Sequence, residues 1–149
     1  MLRLSTKGEY GVRAMLELGL KDEGCITVHE IASRQGISAK YLEHLLSLLK
    51  KAGLVQSERG PKGGYRLSAP PSQITLRNIL SALEGQNAPV DCLRGEVGRD
   101  MCYFEKSCAL QEIWMDIYDR ILDMLNSVTL EEICEKQKRV HQKTPMYYI

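Results

Sequence analysis

The feature that most constrains the fold of this chain is a glycine-rich turn between two short strand-like segments. Residues 59–64 contain three glycines, one proline and two basic side chains, Arg59 and Lys62. The flanking segments 54–57 and 65–67 read as short strands. We therefore expect a β-hairpin that carries Arg59 and Lys62 at its tip.

Two helices are predicted directly before this hairpin. Thr27 and Glu30 match a capping box at the start of the first helix, and Gly36 ends it. Ser38 is the expected cap of the second helix, which has a leucine-rich face and stops at Gly53. A short helix, a turn and a longer helix form a helix-turn-helix, and a hairpin that follows directly is a wing. Helical hairpins are also common in proteins that bind no nucleic acid, and the basic wing favours DNA binding over that alternative.

The distribution of charge supports the same module. The net charge of +1 gives no general argument for nucleic acid, but residues 34–66 hold seven basic side chains against two acidic ones. Recognition helices read base edges with their N-terminal residues, where Lys40 can donate to guanine and Glu43 can accept from cytosine. The structural alternatives are a core position for Tyr41 and an ion pair between Glu43 and Lys40. The candidate DNA contacts are Ser38, Lys40, Tyr41, Glu43, His44, Arg59 and Lys62.

The second half of the chain is predicted to be helical on both sides of a loop. Thr75 caps a helix that ends at Gly85, and a loop follows over residues 86–107. The longest helix begins near Cys108, and its apolar residues recur at alternating spacings of four and three. A helix with so broad an apolar face needs a partner. We expect a second copy of the chain to cover it, with packing on its own domain as the alternative.

Capping patterns also mark the two ends of the chain. Thr6 and Glu9 match a capping box at the start of the first helix. Thr129 and Glu132 match another, which predicts a short helix as far as residue 134, followed by solvated polar residues over 135–143. The predicted fold class is therefore mostly α with a small β-hairpin wing. A winged helix-turn-helix occupies residues 1–70, and a cysteine-bearing loop and dimerisation helices occupy residues 71–149 of one compact fold.

Three of the five cysteines fall within seventeen residues. Nine residues separate Cys92 from Cys102, and five separate Cys102 from Cys108. An odd cysteine count argues against a disulfide framework. Thiolates that lie close together suit an iron–sulfur cluster or zinc, although zinc ligand pairs are usually more closely spaced. Three unligated thiols are the remaining alternative.

The sequence lacks the signals that are typical of several functional classes. No apolar stretch of signal-peptide length opens the chain, and the best apolar run, residues 14–20, contains Glu17 and is too short for a bilayer. We therefore expect a cytoplasmic protein with no membrane partner. No phosphate-binding glycine motif or nucleophile–base motif is present, so we expect no enzyme and no small-molecule substrate. The alternatives are a redox enzyme or electron carrier using the same thiolates, and a cluster-free regulator that senses through a partner protein.

Four segments of the sequence resemble the Rrf2 family of bacterial transcription factors. They are residues 4–11, 37–43, 53–55 and 59–65, and the resemblance extends over nearly the whole chain. The three cysteines resemble those of the iron–sulfur branch of this family. The resemblance implies a homodimer that binds a double-stranded DNA operator, a long crossing helix, and a cluster near the dimer interface. Many members of that branch repress the genes for cluster assembly, and cluster state switches their DNA binding.

The sequence departs from the iron–sulfur branch at two places. That branch has a histidine ligand three residues after the third cysteine, where this chain has Gln111, and the gap from Cys92 to Cys102 is longer than usual. A nitric-oxide-sensing branch takes an acidic ligand from the first helix of the partner subunit, which corresponds here to Glu9. The resemblance thus implies Cys92, Cys102, Cys108 and Glu9 as ligands, ahead of Gln111, with a 2Fe–2S cluster favoured over 4Fe–4S. Residues 146–149 resemble a clusterless branch that regulates cysteine metabolism and lacks the three cysteines, which is the alternative.

Overall fold

A computed structural model describes residues 4–85, 88, 90–93 and 108–143 of the chain. Over these residues the fold is α-helical with one two-stranded antiparallel hairpin, as the sequence predicts. Short 3-10 turns lie at Pro71–Gln73 and Asp91–Leu93. The helices are α1 Thr6–Leu20, α2 Val28–Gln35, α3 Ala39–Lys51, α4 Leu76–Glu84, α5 Ala109–Ser127 and α6 Leu130–Lys143, and the strands are β1 Val55–Glu58 and β2 Gly64–Leu67.

The first helix begins differently from the prediction. Ser5, not Thr6, is the cap, and its Oγ accepts from the Gly8 N–H at 3.0 Å. Glu9 does not complete a capping box. Its carboxylate pairs instead with Arg13 one turn later, with 2.6 Å between Oε1 and Nη2. The favoured i,i+4 spacing of opposite charges explains why the pair forms. The sequence offers Gly24 as a stop for this helix, but the helix ends earlier, at Leu20.

The helix-turn-helix forms as predicted. Thr27 and Glu30 make both hydrogen bonds of the capping box. The Glu30 carboxylate accepts from the Thr27 N–H at 2.8 Å and from the Thr27 hydroxyl at 3.0 Å, and these two bonds lower the pKa of Glu30. Gly36 takes a left-handed conformation with φ of 62°, which a residue without Cβ adopts at little cost. The chain then turns into α3, where Ser38 is the cap.

The wing, residues 55–67, pairs Val55 with Leu67 and Glu58 with Gly64. Its first strand lies one residue later than the sequence suggests. A third segment adjoins the hairpin, since Ile26 and Tyr65 exchange backbone hydrogen bonds of 3.0 and 2.9 Å. The backbones approach so closely there that a Cβ on Gly64 would lie 2.5 Å from the Ile26 carbonyl oxygen. These contacts fix the base of the wing against the residues that precede α2.

The hydrophobic core joins α1, α3 and α4 and extends to the start of α6. Met15 of α1, Ile79 of α4 and Leu130 of α6 are fully buried in one continuous cluster. Two backbone bonds of 2.8 Å, from Leu76 N–H to Val128 O and from Leu130 N–H to Ile74 O, join α4 to the α5–α6 junction. No helix in the described part of the chain has the length and apolarity needed to cross a membrane.

The last helix is longer than the sequence predicts. Thr129 caps it through the Glu132 N–H at 3.2 Å, but α6 continues to Lys143 instead of stopping near residue 134. Acidic residues in its first turn and basic residues in its last turn stabilise the helix dipole. An i,i+4 ion pair of 2.9 Å between Glu132 and Lys136 adds to this. Residues 135–143 are thus polar but helical.

Candidate nucleic-acid interface and cysteine site

The first turn of α3 presents polar side chains to solvent. Ser38 caps the helix by accepting from the Tyr41 N–H at 3.1 Å. Lys40, Glu43 and His44 are exposed on the same end of the helix. The positive end of the helix dipole and the Lys40 ammonium make this surface attractive to phosphate oxygens. The arrangement therefore suits a recognition helix that enters a groove with its N-terminal turn.

Two structural roles were the alternatives to DNA contact at this helix: a core position for Tyr41 and an ion pair between Glu43 and Lys40. Tyr41 is half-buried, and its ring contacts the ring of Tyr10 on α1. Part of its role is therefore packing, as one alternative proposed. Glu43 and Lys40 form no ion pair with each other among the described residues, so both charged groups remain exposed to a ligand.

The tip of the wing is a tight turn with two exposed cations. The Gly63 N–H donates to the Gly60 carbonyl at 2.9 Å, which places Pro61 and Lys62 at the centre of a β-turn. Arg59 and Lys62 are exposed, and neither has an acidic partner within the described part of the chain. Arg66 differs, because Glu58 balances its charge at 2.6 Å. The two tip cations are thus the side chains of the wing best placed for phosphate contact.

The base of the wing has contacts that could not be predicted from the sequence. The Lys50 ammonium donates to Ser57 Oγ at 2.6 Å, which ties the end of α3 to β1. The half-buried Cys25 thiol lies beside Glu58, and burial together with a hydrogen bond to that carboxyl raises its pKa. Each contact joins residues from different elements, so no local pattern could have predicted it. Their effect is to hold the wing in a fixed orientation beside α3.

Two of the three predicted cysteine ligands lie within the described residues. Cys92 is in the 3-10 turn Asp91–Leu93, which contacts α5, and Cys108 is the N-cap of α5. Both thiols are free and half-buried. Gln111 lies in the first turn of α5, where its N–H donates to the Cys108 carbonyl at 3.1 Å. Cys102 lies outside the described residues, and those that are described contain no cluster of three metal-ligating side chains.

The two described thiols, Cys92 and Cys108, nevertheless have the chemistry that suits an iron–sulfur cluster. Free, half-buried thiols from two elements that touch each other are the soft ligands that such clusters require. Cys108 caps the N-terminus of α5, where the helix dipole favours a negatively charged group. Glu9 is half exposed and pairs with Arg13 through Oε1, which leaves its second carboxylate oxygen, Oε2, as the atom that could bind a metal ion.

The long helix α5 has an exposed apolar face. None of its residues is buried, and Trp114 and Ile117 remain 37% and 38% exposed. Exposed apolar patches of this extent on a single helix are typical of protein–protein contact surfaces. The other large apolar side chains exposed on the helix are Leu110, Ile113, Met115 and Met124.

Comparisons with known proteins agree on the family. The model of the Rrf2 family, described as iron-dependent transcriptional regulators, matches residues 4–136. The transcriptional regulator IscR of Pectobacterium atrosepticum is 41% identical over 138 residues, which cover 92% of this chain and 82% of that protein. The solved structure of IscR from T. potens has a TM-score of 0.77 at 34% identity, and covers 99% of this chain and 97% of its own. CymR, the global cysteine regulator of B. subtilis, has a TM-score of 0.75 at 40% identity, with 91% and 98% covered.

Proposed function

Because the chain belongs to the Rrf2 family of DNA-binding transcriptional regulators, we propose that an iron–sulfur cluster controls its binding to an operator. The cluster would be held by Cys92, Cys102 and Cys108. The observation that carries the proposal is the coexistence of two features: an exposed basic wing that follows α3, and free thiols at the start of α5 and in the 3-10 turn that contacts it. The first surface suits DNA, and the second suits a soft metal centre.

DNA recognition would use two kinds of contact. Arg59 and Lys62 at the wing tip, with the Ser38 end of α3, would bind phosphate and set the register of the complex. Lys40 and Glu43, which are exposed and not paired with each other, would read base edges in the major groove. His44, one residue further along α3, is the remaining candidate of this set.

The apolar face of α5 supports a homodimer. A two-fold pair would bury Trp114, Ile117 and their apolar neighbours, and would present two recognition helices to successive turns of the duplex. The resemblance to the nitric-oxide-sensing branch, which takes an acidic ligand from the first helix of the partner subunit, makes Glu9 our proposed fourth ligand. Gln111, in the same helical turn as Cys108, is the second candidate.

The cysteines distinguish the proposed function from that of the clusterless branch. The family resemblance implies that this branch lacks the three thiols that this chain has. When bound, a cluster would supply a labile, redox-active centre; the thiols would hold it and the start of α5 would orient it. We propose a 2Fe–2S cluster and repression of cluster-assembly genes, with nitric-oxide sensing or control of cysteine metabolism as the alternatives.

The test is anaerobic purification with visible absorbance and counting of iron and sulfide. We expect a coloured wild-type protein, loss of colour in Cys102→Ala, and retention of colour in the control Cys25→Ala, whose thiol is in the wing base. Binding to a duplex enriched from a randomised pool should differ between the loaded and the stripped protein. A colourless wild-type protein that binds the duplex equally in both states would refute cluster sensing.

The fourth ligand needs a separate comparison. Glu9→Ala should alter the cluster spectrum if the partner's first helix supplies the ligand, whereas Gln111→Ala should alter it if the ligand comes from α5. Unchanged spectra in both variants would refute both assignments.

A further inference from the structure

Three side chains form a stack between α1 and the first turn of α3. The Arg13 Cζ lies 5.5 Å from the centroid of the Tyr10 ring. The centroids of Tyr10 and Tyr41 are 6.1 Å apart, with the ring planes at 78°, which is an edge-to-face contact. Glu9 holds Arg13 through the ion pair of 2.6 Å. The stack therefore runs from the exposed surface of α1 to the recognition helix.

Tyr41 connects this stack to the cap of the recognition helix. Its N–H donates to Ser38 Oγ at 3.1 Å, and its ring is half-buried against Tyr10 at the edge of the core. On the other side, α1 is fixed by Ala14 and Met15, which are fully buried. The contact between the two tyrosine rings therefore ties the first turn of α3, which carries Lys40, to the packed helix α1.

We propose that Arg13 is a positioning residue for DNA recognition, acting through Tyr10 and Tyr41 on the first turn of α3. This inference rests on the proposed role of that turn in reading DNA. Arg13 itself is not expected to bind phosphate, because its guanidinium is already paired with Glu9 and stacked on an aromatic ring. Its removal should loosen the turn without removing a charge contact to the duplex.

Substitution of Arg13 should lower the affinity for DNA without changing how that affinity depends on salt. An exposed cation–π contact changes an equilibrium constant by about two- to five-fold, so Arg13→Gln should weaken DNA binding by roughly that factor per subunit. The dependence of affinity on salt should stay the same, since no phosphate contact is lost. The affinity of Arg13→Lys, which retains the charge but not the planar group, should lie between that of the wild-type protein and that of Arg13→Gln.

The experiment measures fluorescence anisotropy on a duplex enriched from a randomised pool by the wild-type protein, across a salt titration. Arg120→Gln is the matched control, because Arg120 forms an i,i+4 ion pair of 3.1 Å with Asp116 on α5 but stacks on no described aromatic ring. The same measurements on Tyr10→Leu and on Tyr10→Leu combined with Arg13→Gln complete a double-mutant cycle.

We expect weaker DNA binding by Arg13→Gln, an unchanged salt slope, and no further loss of affinity in the Tyr10→Leu background. Wild-type affinity in Arg13→Gln would overturn it, and so would a reduced salt slope, which indicates a phosphate contact. Additive losses in the double variant would overturn the route through Tyr10. If the wild-type protein enriched no duplex, the proposed DNA function would fail, and this inference with it.

Discussion

Replacing Arg59 with alanine is the sharpest test of the wing. Arg59 is exposed at the hairpin tip and has no acidic partner in the described part of the chain, so its removal breaks no intramolecular ion pair. We therefore expect the free energy of unfolding to change by no more than about 0.5 kcal/mol, as for other surface substitutions. Any large effect on DNA binding can then be assigned to the interface.

The magnitude follows from counterion release. Each phosphate neutralised contributes about 0.9 to the slope of log affinity against log salt, and a homodimer presents two wings. Arg59→Ala should therefore reduce the slope by about 1.8. Over a four-fold rise in salt, from about 50 to 200 mM, the wild-type affinity should fall roughly ten-fold further than that of the variant.

The assay is fluorescence anisotropy on the enriched duplex at several salt concentrations. Arg66→Ala should change the slope less than Arg59→Ala, since Glu58 already balances the Arg66 guanidinium. Lys136→Ala, on the distant helix α6, serves as the control and should leave the slope unchanged. A wild-type slope in Arg59→Ala would refute the assignment of the wing tip as a phosphate contact.

Three further predictions concern assembly, packing and thiol chemistry. Ile117→Lys on the apolar face of α5 should convert a dimer to monomers in sedimentation velocity, whereas Asp119→Lys on the opposite face should leave the dimer intact. If both variants remained dimeric, this result would contradict the proposed interface. Gly19→Ala should lower the free energy of unfolding in urea by about 1 kcal/mol, because overpacking outweighs the gain in helix propensity. A Cβ there would lie 2.6 Å from the Cys134 sulfur, so Cys134→Ala should reduce the loss, and an equal loss in both backgrounds would exclude that clash. Burial raises the pKa of Cys134, and burial together with the Glu58 hydrogen bond raises the pKa of Cys25. Alkylation of these two thiols, followed by mass spectrometry, should therefore require a higher pH than alkylation of an exposed cysteine.

Local signals allowed much of the fold to be predicted. Thr27, Ser38 and Thr75 each cap a helix where the sequence placed one, because capping depends on residues within one turn. The same rule failed for the first helix, where Ser5 precedes Thr6 and Glu9 has a competing partner in Arg13. A capping pattern does not show which of two adjacent hydroxyl residues is the N-cap, nor which partner a nearby carboxylate binds.

Contacts between distant residues could not be predicted in this way. The sequence placed Tyr41 among the DNA contacts, and the contact of its ring with Tyr10 became visible only when α1 and α3 were brought together. The same holds for Ile26, whose backbone joins the base of the wing. Polar residues 135–143 have few apolar side chains, so their helical structure depends on charge placement and on the buried start of α6 instead of a hydrophobic repeat.

The fold itself cannot decide what the protein senses. IscR of T. potens and CymR of B. subtilis superpose on this chain with TM-scores of 0.77 and 0.75, so the same backbone serves regulators of different names. Function must therefore be argued from the site. The wing and the first turn of α3 form our proposed DNA interface, whereas Cys92 and Cys108 are half-buried and do not belong to the hydrophobic core of the described residues. Our proposal explains these thiols by the cluster that they would hold, so the metal content of the purified protein discriminates between the two functions better than any structural comparison.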